Sequence, residues 1–315
     1  TPRPPSGGIN THLTPLPHLC AKISNNMRQS LLFLFVLLFC GSLSAQEFHG
    51  GFRAGLNFVN FEGPQEMNMA GETLETFNSA TGFHVGATFA FAFTDLIGIK
   101  ADFMYSQKGG ERRFEGPSYF YLYADRNDTQ GDVIFGDAVI ERSIVNSYID
   151  IPMVAYYRLG PLEIEGGVSA GFLVSSRVTG GATYNTPTFG LENDIIFSID
   201  GNYLSDPAGG AGVISSEGTM LNTGATAPGV VAAYYNSNRD DALYRRLDFG
   251  LIAGVSYFLN SGLYLGVRYQ HGLTDITNGE NDLRIIDEDL LEGREFNTDD
   301  EDFTRSIQAS VGFRF

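Results

Sequence analysis

From about residue 51 onward, apolar residues alternate with polar or very small ones. Eight segments carry the pattern: 51–61 (GFRAGLNFVNF), 81–93, 96–108, 145–158, 162–175, 246–258, 263–273 and 305–315. A period of two is the signature of a strand with two unlike faces. Strands of globular proteins average about five to six residues, whereas a strand tilted across a bilayer needs about 9–11. All eight segments are of the longer kind. Their connections alternate in length. Thr94-Asp95, Leu159-Gly160-Pro161 and Leu259-Asn260-Ser261-Gly262 are tight turns, whereas 62–80, 109–144, 176–245 and 274–304 are long. Short turns at one end and long loops at the other are the plan of an outer-membrane barrel.

The two faces predict which side meets lipid. In segment 96–108, Ile97, Ile99, Ala101, Phe103 and Tyr105 alternate with Gly98, Lys100, Asp102, Met104, Ser106 and Lys108. In 162–175, Leu162, Ile164, Val168, Ala170 and Phe172 alternate with Glu163, Glu165, Gly167, Ser169 and Gly171. In 263–273, Leu263, Leu265, Val267 and Tyr269 alternate with Tyr264, Gly266, Arg268 and Gln270. A soluble, lipocalin-like barrel would turn the apolar face inward. It would then leave Gly98, Gly167, Gly171, Gly250, Gly266 and Gly312 on an open surface that has no need of small residues. An eight-stranded barrel is filled by its own side chains, so a crowded lumen explains these glycines.

The fold expected is therefore all-β: an eight-stranded antiparallel up-and-down transmembrane β-barrel with long extracellular loops and short periplasmic turns. Its lumen would hold a charge network of Arg53, Lys100, Asp102, Asp150, Glu163, Glu165, Asp248, Arg268 and Arg314, joined by Lys108 and Arg158. Six cations against five anions is the near balance that buried charges require. Phe52, Phe58, Phe91, Tyr105, Tyr157, Tyr257 and Tyr269 lie near strand ends on the apolar face, as an interfacial aromatic belt would.

Composition and the N-terminal region sharpen this reading. The net charge of −17 excludes nucleic acid as a partner. Met27 to Gln46 (MRQSLLFLFVLLFCGSLSAQ) has a positive start, a short apolar run and small residues before Gln46. This is the layout of a secretory signal cleaved after Ala45. Residues 27–45 are expected to be that signal, 1–26 an unfolded extension ahead of Met27, and 46–315 the outer-membrane barrel domain. A lipoprotein signal also ends at Cys, but Phe39 before Cys40 is too large for one. Both cysteines, Cys20 and Cys40, precede the cleavage point, so no thiol chemistry is expected of the mature chain.

Candidate chemistry is sparse, and neither a cofactor nor a catalytic role is expected. His84 and His271 are assigned to lumen faces. His271, near the extracellular rim with Thr274 close by, is the candidate acid–base group, weighed against a hydrogen-bonded lumen histidine. Asp287, Asp289, Asp299, Asp300 and Asp302 form a dense carboxylate loop. Such oxygens can hold Ca²⁺, although the twelve-residue loop pattern is missing and solvated carboxylates are the ordinary alternative. Wide aqueous pores need about 16–18 strands, which argues against a large channel. The patches DIIFSI and GVVAAYY in the third loop point to strands rising above the membrane.

Taken together, GFRAGLNFVNF, IGIKADFMYSQKGG, SYIDIPMVAYYRLG, LDFGLIAGVSYF and LGVRYQHGLTDI resemble the PorT-like outer-membrane β-barrel family of Bacteroidetes. The final SVGFRF resembles that family's end. The likeness covers the predicted strands from Gly51 to Phe315 and not the long loops. It implies an eight-stranded barrel in the cell outer membrane, in a family often of unknown role with one founding member linked to protein secretion. It also implies an assembly signal at Phe313 and Phe315, read by the barrel-assembly machinery. The expected role is structural or binding. Outer-membrane lipid would surround the barrel, and loops 176–245 and 275–303 would meet a surface or secretion partner. A narrow channel or ligand transporter is the alternative, and a hydrolase acting on lipid or peptide a third reading.

Overall fold

The computed structural model describes residues 47–68, 70–122, 132–185, 194–204, 213–215, 242–278 and 301–315. The expected leader and extension, 1–45, lie outside these residues. Among the described residues, ten strands form one antiparallel sheet: β1 (Glu47–Glu62), β2 (Glu75–Ala92), β3 (Ile97–Leu122), β4 (Asp132–Leu159), β5 (Leu162–Asn185), β6 (Ile195–Asn202), β7 (Val213–Ser215), β8 (Leu247–Phe258), β9 (Leu263–Gly272) and β10 (Phe303–Arg314). Eight of them, β1–β5 and β8–β10, close into a ring, because β1 pairs with β10 and β5 pairs with β8 as well as β4. β6 and β7 are added to the outer part of β5.

The register fixes the tilt. Following partners from Gly50 through Phe89, Ala101, Met153, Val168, Leu251, His271 and Arg305 returns to β1 at Asn60, an offset of ten residues. With strands about 4.8 Å apart and a rise of about 3.4 Å per residue, that shear over eight strands gives a tilt of about 40°. The short turns are held locally. Gly160 adopts a positive φ of 61° between the paired Leu159 and Leu162. Thr94 Oγ1 accepts from the amides of Leu96 and Ile97, and Asn260 Oδ1 from those of Gly262 and Leu263.

The ring carries its apolar stripe outward. Ile99, Phe103, Leu265 and Val267 are about half exposed on the outer wall, whereas Lys100, Asp102, Glu163, Glu165 and Arg268 are buried inside. Gly98 and Gly312 face inward, where an added Cβ would collide with the Tyr156 and Tyr264 rings. On β3 the outward apolar run from Ile97 to Tyr105 is as long as a tilted crossing requires.

Above that belt the pattern inverts. β3, β4 and β5 do not stop where the lipid-facing alternation stops. They continue to Leu122, back from Asp132, and out to Asn185. Their outward residues become Glu111, Arg113, Glu115, Glu141 and Arg177, while Phe114, Ile140, Ile144, Val178, Ala182 and Tyr184 turn inward and are buried. Water has replaced hydrocarbon as the outer solvent, so the strands read as those of a soluble sheet. This corrects the expected loop at 109–144, where 109–122 and 132–144 are strand; in 176–245 the strands 176–185 and 195–202 rise above the membrane as the DIIFSI patch suggested, and GVVAAYY lies outside the described residues. A bulge at Val174, between the pairs Tyr148–Leu173 and Ser147–Ser175, marks the transition on β5.

Leu243 and Tyr244, from the segment before β8, and Ile276, after β9, fold in over this concave face. They join Phe61, Tyr203 and Leu173 in one buried apolar cluster. A bridge between Tyr244 and Thr277 ties the two segments together. Tyr244 stacks on Phe61 at 6.4 Å and meets Tyr203 edge-on at 5.8 Å. Burial pushes its phenol pKa up, so it stays neutral. The cluster stands over the polar lumen at its extracellular end.

Candidate functional site

Three polar layers fill the lumen beneath that cluster. Nearest the short turns, Lys100 Nζ lies 2.6 Å from Glu163 Oε1 and also contacts Glu165. Arg158 Nη2 and Arg314 Nη1 donate to Glu163 Oε2 at 3.0 and 3.2 Å. Both guanidiniums lie 4.5 Å from the centroid of the Phe258 ring, a favourable cation–π placement. In the middle, Arg268 bridges Glu165 and Asp102, 2.5 Å from Asp102 Oδ2, and Arg53 Nη1 reaches the same oxygen at 3.3 Å. In the upper layer, Lys108 Nζ lies 3.0 Å from Asp150 Oδ1 and 3.1 Å from Asp248 Oδ2, with the Tyr148 ring 4.7 Å away. The structure thus brings all nine predicted lumen charges inside the ring, in two ion-paired groups rather than one.

The sequence offered no sign of the link between the lower layers and the barrel seam. His84, on β2, has Asn57 Oδ1 2.7 Å from Nδ1 and Ser310 Oγ 2.9 Å from Nε2. Asn57 Nδ2 donates to the carbonyls of Phe83 and Gln107 and to Ser106 Oγ, so its Oδ1 is the acceptor. The Nδ1 of His84 therefore carries the proton, and Nε2 accepts from the Ser310 hydroxyl. Ser310 Oγ in turn accepts from Arg53 Nη2 at 2.9 Å. The order serine, histidine, asparagine is that of a nucleophilic triad, but catalysis also needs space for a reacting carbonyl beside the serine. Here Ser310 Oγ is occupied by the Arg53 guanidinium, and Arg53, Asn57, His84 and Ser310 are all buried. The relay locks β1, β2 and β10 to one another.

Two expectations change. His271 shares the outward face of Tyr269 and lies 3.4 Å from that phenol through Nδ1. It does not face the lumen, because the period of two places it in line with Leu265 and Val267. Asp302, one of the five carboxylates proposed for Ca²⁺, is buried and ion-paired with Arg112; Asp287, Asp289, Asp299 and Asp300 lie outside the described residues. Among the described residues no group of three or more His, Cys, Asp or Glu is arranged to hold a metal. The two aromatics of the proposed assembly signal point outward. Phe313 stacks on Phe52 at 6.1 Å, and Phe315 lies against Gly50, to whose carbonyl its amide donates.

The model of the outer membrane protein beta-barrel domain matches residues 44–278. The chain belongs to that family. It is an outer-membrane β-barrel protein, and β10, which closes the ring, lies beyond the matched stretch. Among solved structures it is similar to Ail, the attachment invasion locus protein of Yersinia pestis, seen in complex with a heparin analogue. That pair shares 10% identity and a TM-score of 0.35, over 85% of this chain and 99% of Ail. It is also similar to Neisserial surface protein A (12%, 0.27, 86% and 100%) and to OprG from Pseudomonas aeruginosa (11%, 0.31, 86% and 97%). No curated protein matches the sequence.

Proposed function

We propose that this barrel is a filled, non-conducting mount whose work is done by the extracellular sheet of β3–β7 and the acidic loops around it. The role is that of a binding platform for a surface or secretion partner. The carrying observation is that β3 continues 17 residues past the apolar belt, from Ser106 to Leu122, on the order of 50 Å of chain. That length has no use in crossing the membrane, and exposed segments held on a rigid scaffold are where recognition concentrates. The ion-paired lumen under its apolar cluster supports the same reading against a channel.

The PorT-like resemblance favours an accessory of protein secretion over an adhesin. On this reading residues 27–45 direct export, and Phe313 and Phe315 guide assembly. The test has two arms. Purified protein in planar bilayers should give no stepwise conductance. Crosslinking in intact cells through residues 196–202 should capture a partner that is lost when 195–215 is replaced by a short turn. Open-channel currents, or a partner retained after the replacement, would refute the proposal.

A further inference from the structure

Charge is unevenly spread along the lumen. The upper layer has one cation, Lys108, between two carboxylates, Asp150 and Asp248. The two lower layers have five cations, Arg53, Lys100, Arg158, Arg268 and Arg314, for three carboxylates, Asp102, Glu163 and Glu165. Arg53 and Arg268 are matched by Asp102 and Glu165, and Lys100 spans Glu163 and Glu165. Arg158 and Arg314 are left with one oxygen between them, Glu163 Oε2. The positive excess therefore sits at the mouth on the short-turn side, which is periplasmic by the barrel plan.

Arg158 is the member of this group that reaches solvent. The Arg158 side chain is 31% exposed, against 8% for Arg314 and 6% for Lys100. A guanidinium has five N–H donors in a planar fork. Each of these two gives one donor to Glu163, and Arg158 Nε, itself buried, has no hydrogen-bond partner. The Phe258 ring holds both guanidiniums in place at 4.5 Å, so little side-chain freedom remains to be lost on binding.

We propose that this mouth is a docking site for a carboxylate delivered from the periplasm by an acidic peptide. One side-chain carboxylate would lie against the exposed edge of Arg158, with the Arg314 guanidinium buried behind it adding its charge, opposite Glu163 and beside the Phe258 ring. The existing arrangement, with two guanidiniums on one carboxylate, is the template for the second. A planar carboxylate suits the planar forks. This site is at the opposite pole from the extracellular sheet and does not depend on the role assigned to that sheet.

The test is fluorescence anisotropy of labelled hexaglutamate against the barrel in nanodiscs at low salt, with hexaglutamine as the neutral control. The protein is strongly acidic elsewhere, at −17 overall, so binding of an anionic peptide has few other places to occur. Hexaglutamate is expected to bind and hexaglutamine not. Arg158→Gln should weaken binding about tenfold. Arg158→Lys, which keeps the charge but not the fork, should give a smaller loss. Arg245→Gln, an exposed arginine outside both sites in a pair with Asp275, should change nothing. No hexaglutamate binding, or equal affinity for wild type and both Arg158 variants, would overturn the proposal.

Discussion

Replacing Lys108 with methionine tests the account of the lumen most directly. The ammonium lies 3.0 Å from Asp150 and 3.1 Å from Asp248, and all three side chains are almost fully buried. Methionine keeps most of the length and the contact with the Tyr148 ring, but leaves two carboxylates facing each other without a cation. Removing one partner of a buried pair costs about 3–5 kcal/mol, and two orphaned anions put this case in the upper half of that range. Removing all three charges, in Lys108→Met with Asp150→Asn and Asp248→Asn, should recover most of the loss, because no buried charge is then left unpaired. Urea titration in lipid vesicles, read by the gel mobility of folded and unfolded protein, gives the difference; the chain has no tryptophan to report by fluorescence. A single variant within about 1 kcal/mol of wild type, or a triple variant no better than the single, would refute the claim that the layer is held by its charges.

Two further outcomes follow from the faces of the barrel and from its seam. Ala170 lies outward between Ile151 and Phe249, and Ser169 lies inward, accepting from Gln270 Nε2 at 3.0 Å. Ala170→Arg should destabilise by about 2–4 kcal/mol near the bilayer midplane and more in thicker bilayers. Ser169→Arg should act by overpacking, with no such dependence, and equal thickness dependence in the two would reverse the assignment of faces. Deleting Phe315 removes a ring seated on Gly50 and an amide bonded to its carbonyl. The yield of folded barrel in the outer membrane should fall, and an unchanged yield would remove Phe315 from the assembly signal.

Wherever hydrocarbon is the outer solvent, the chain states its fold openly. Ile97, Ile99, Phe103 and Tyr105 alternate with Gly98, Lys100 and Asp102, and no other arrangement buries the second set while wetting the first with lipid. The same rule hid the rest of β3. From Glu111 to Phe114 the period of two persists, but Glu111 and Arg113 now face out while Phe114 faces in beside Arg112, so a search for lipid-facing alternation ends too soon. Charge identity predicted which side chains enter the lumen, yet it could not pair Lys108 with Asp248, 140 positions away. That contact depends on the ten-residue shear, which no local pattern encodes. His84 gave no signal beyond its parity, and Asn57 and Ser310 gave none, because ordinary polar residues on three strands meet only after the ring closes.

β3 and β4 run without a break from the periplasmic rim to the outermost part of the described sheet. Their ladder bonds lie perpendicular to the strands. A pull on their distal end would therefore load the flanking ladders, β2–β3 and β4–β5, together in shear, rather than peel them apart one bond at a time. Tension from outside the cell would pass down two continuous ribbons into the wall of the ring. A tether anchored this way would resist extraction with the whole barrel, not with the strength of a loop.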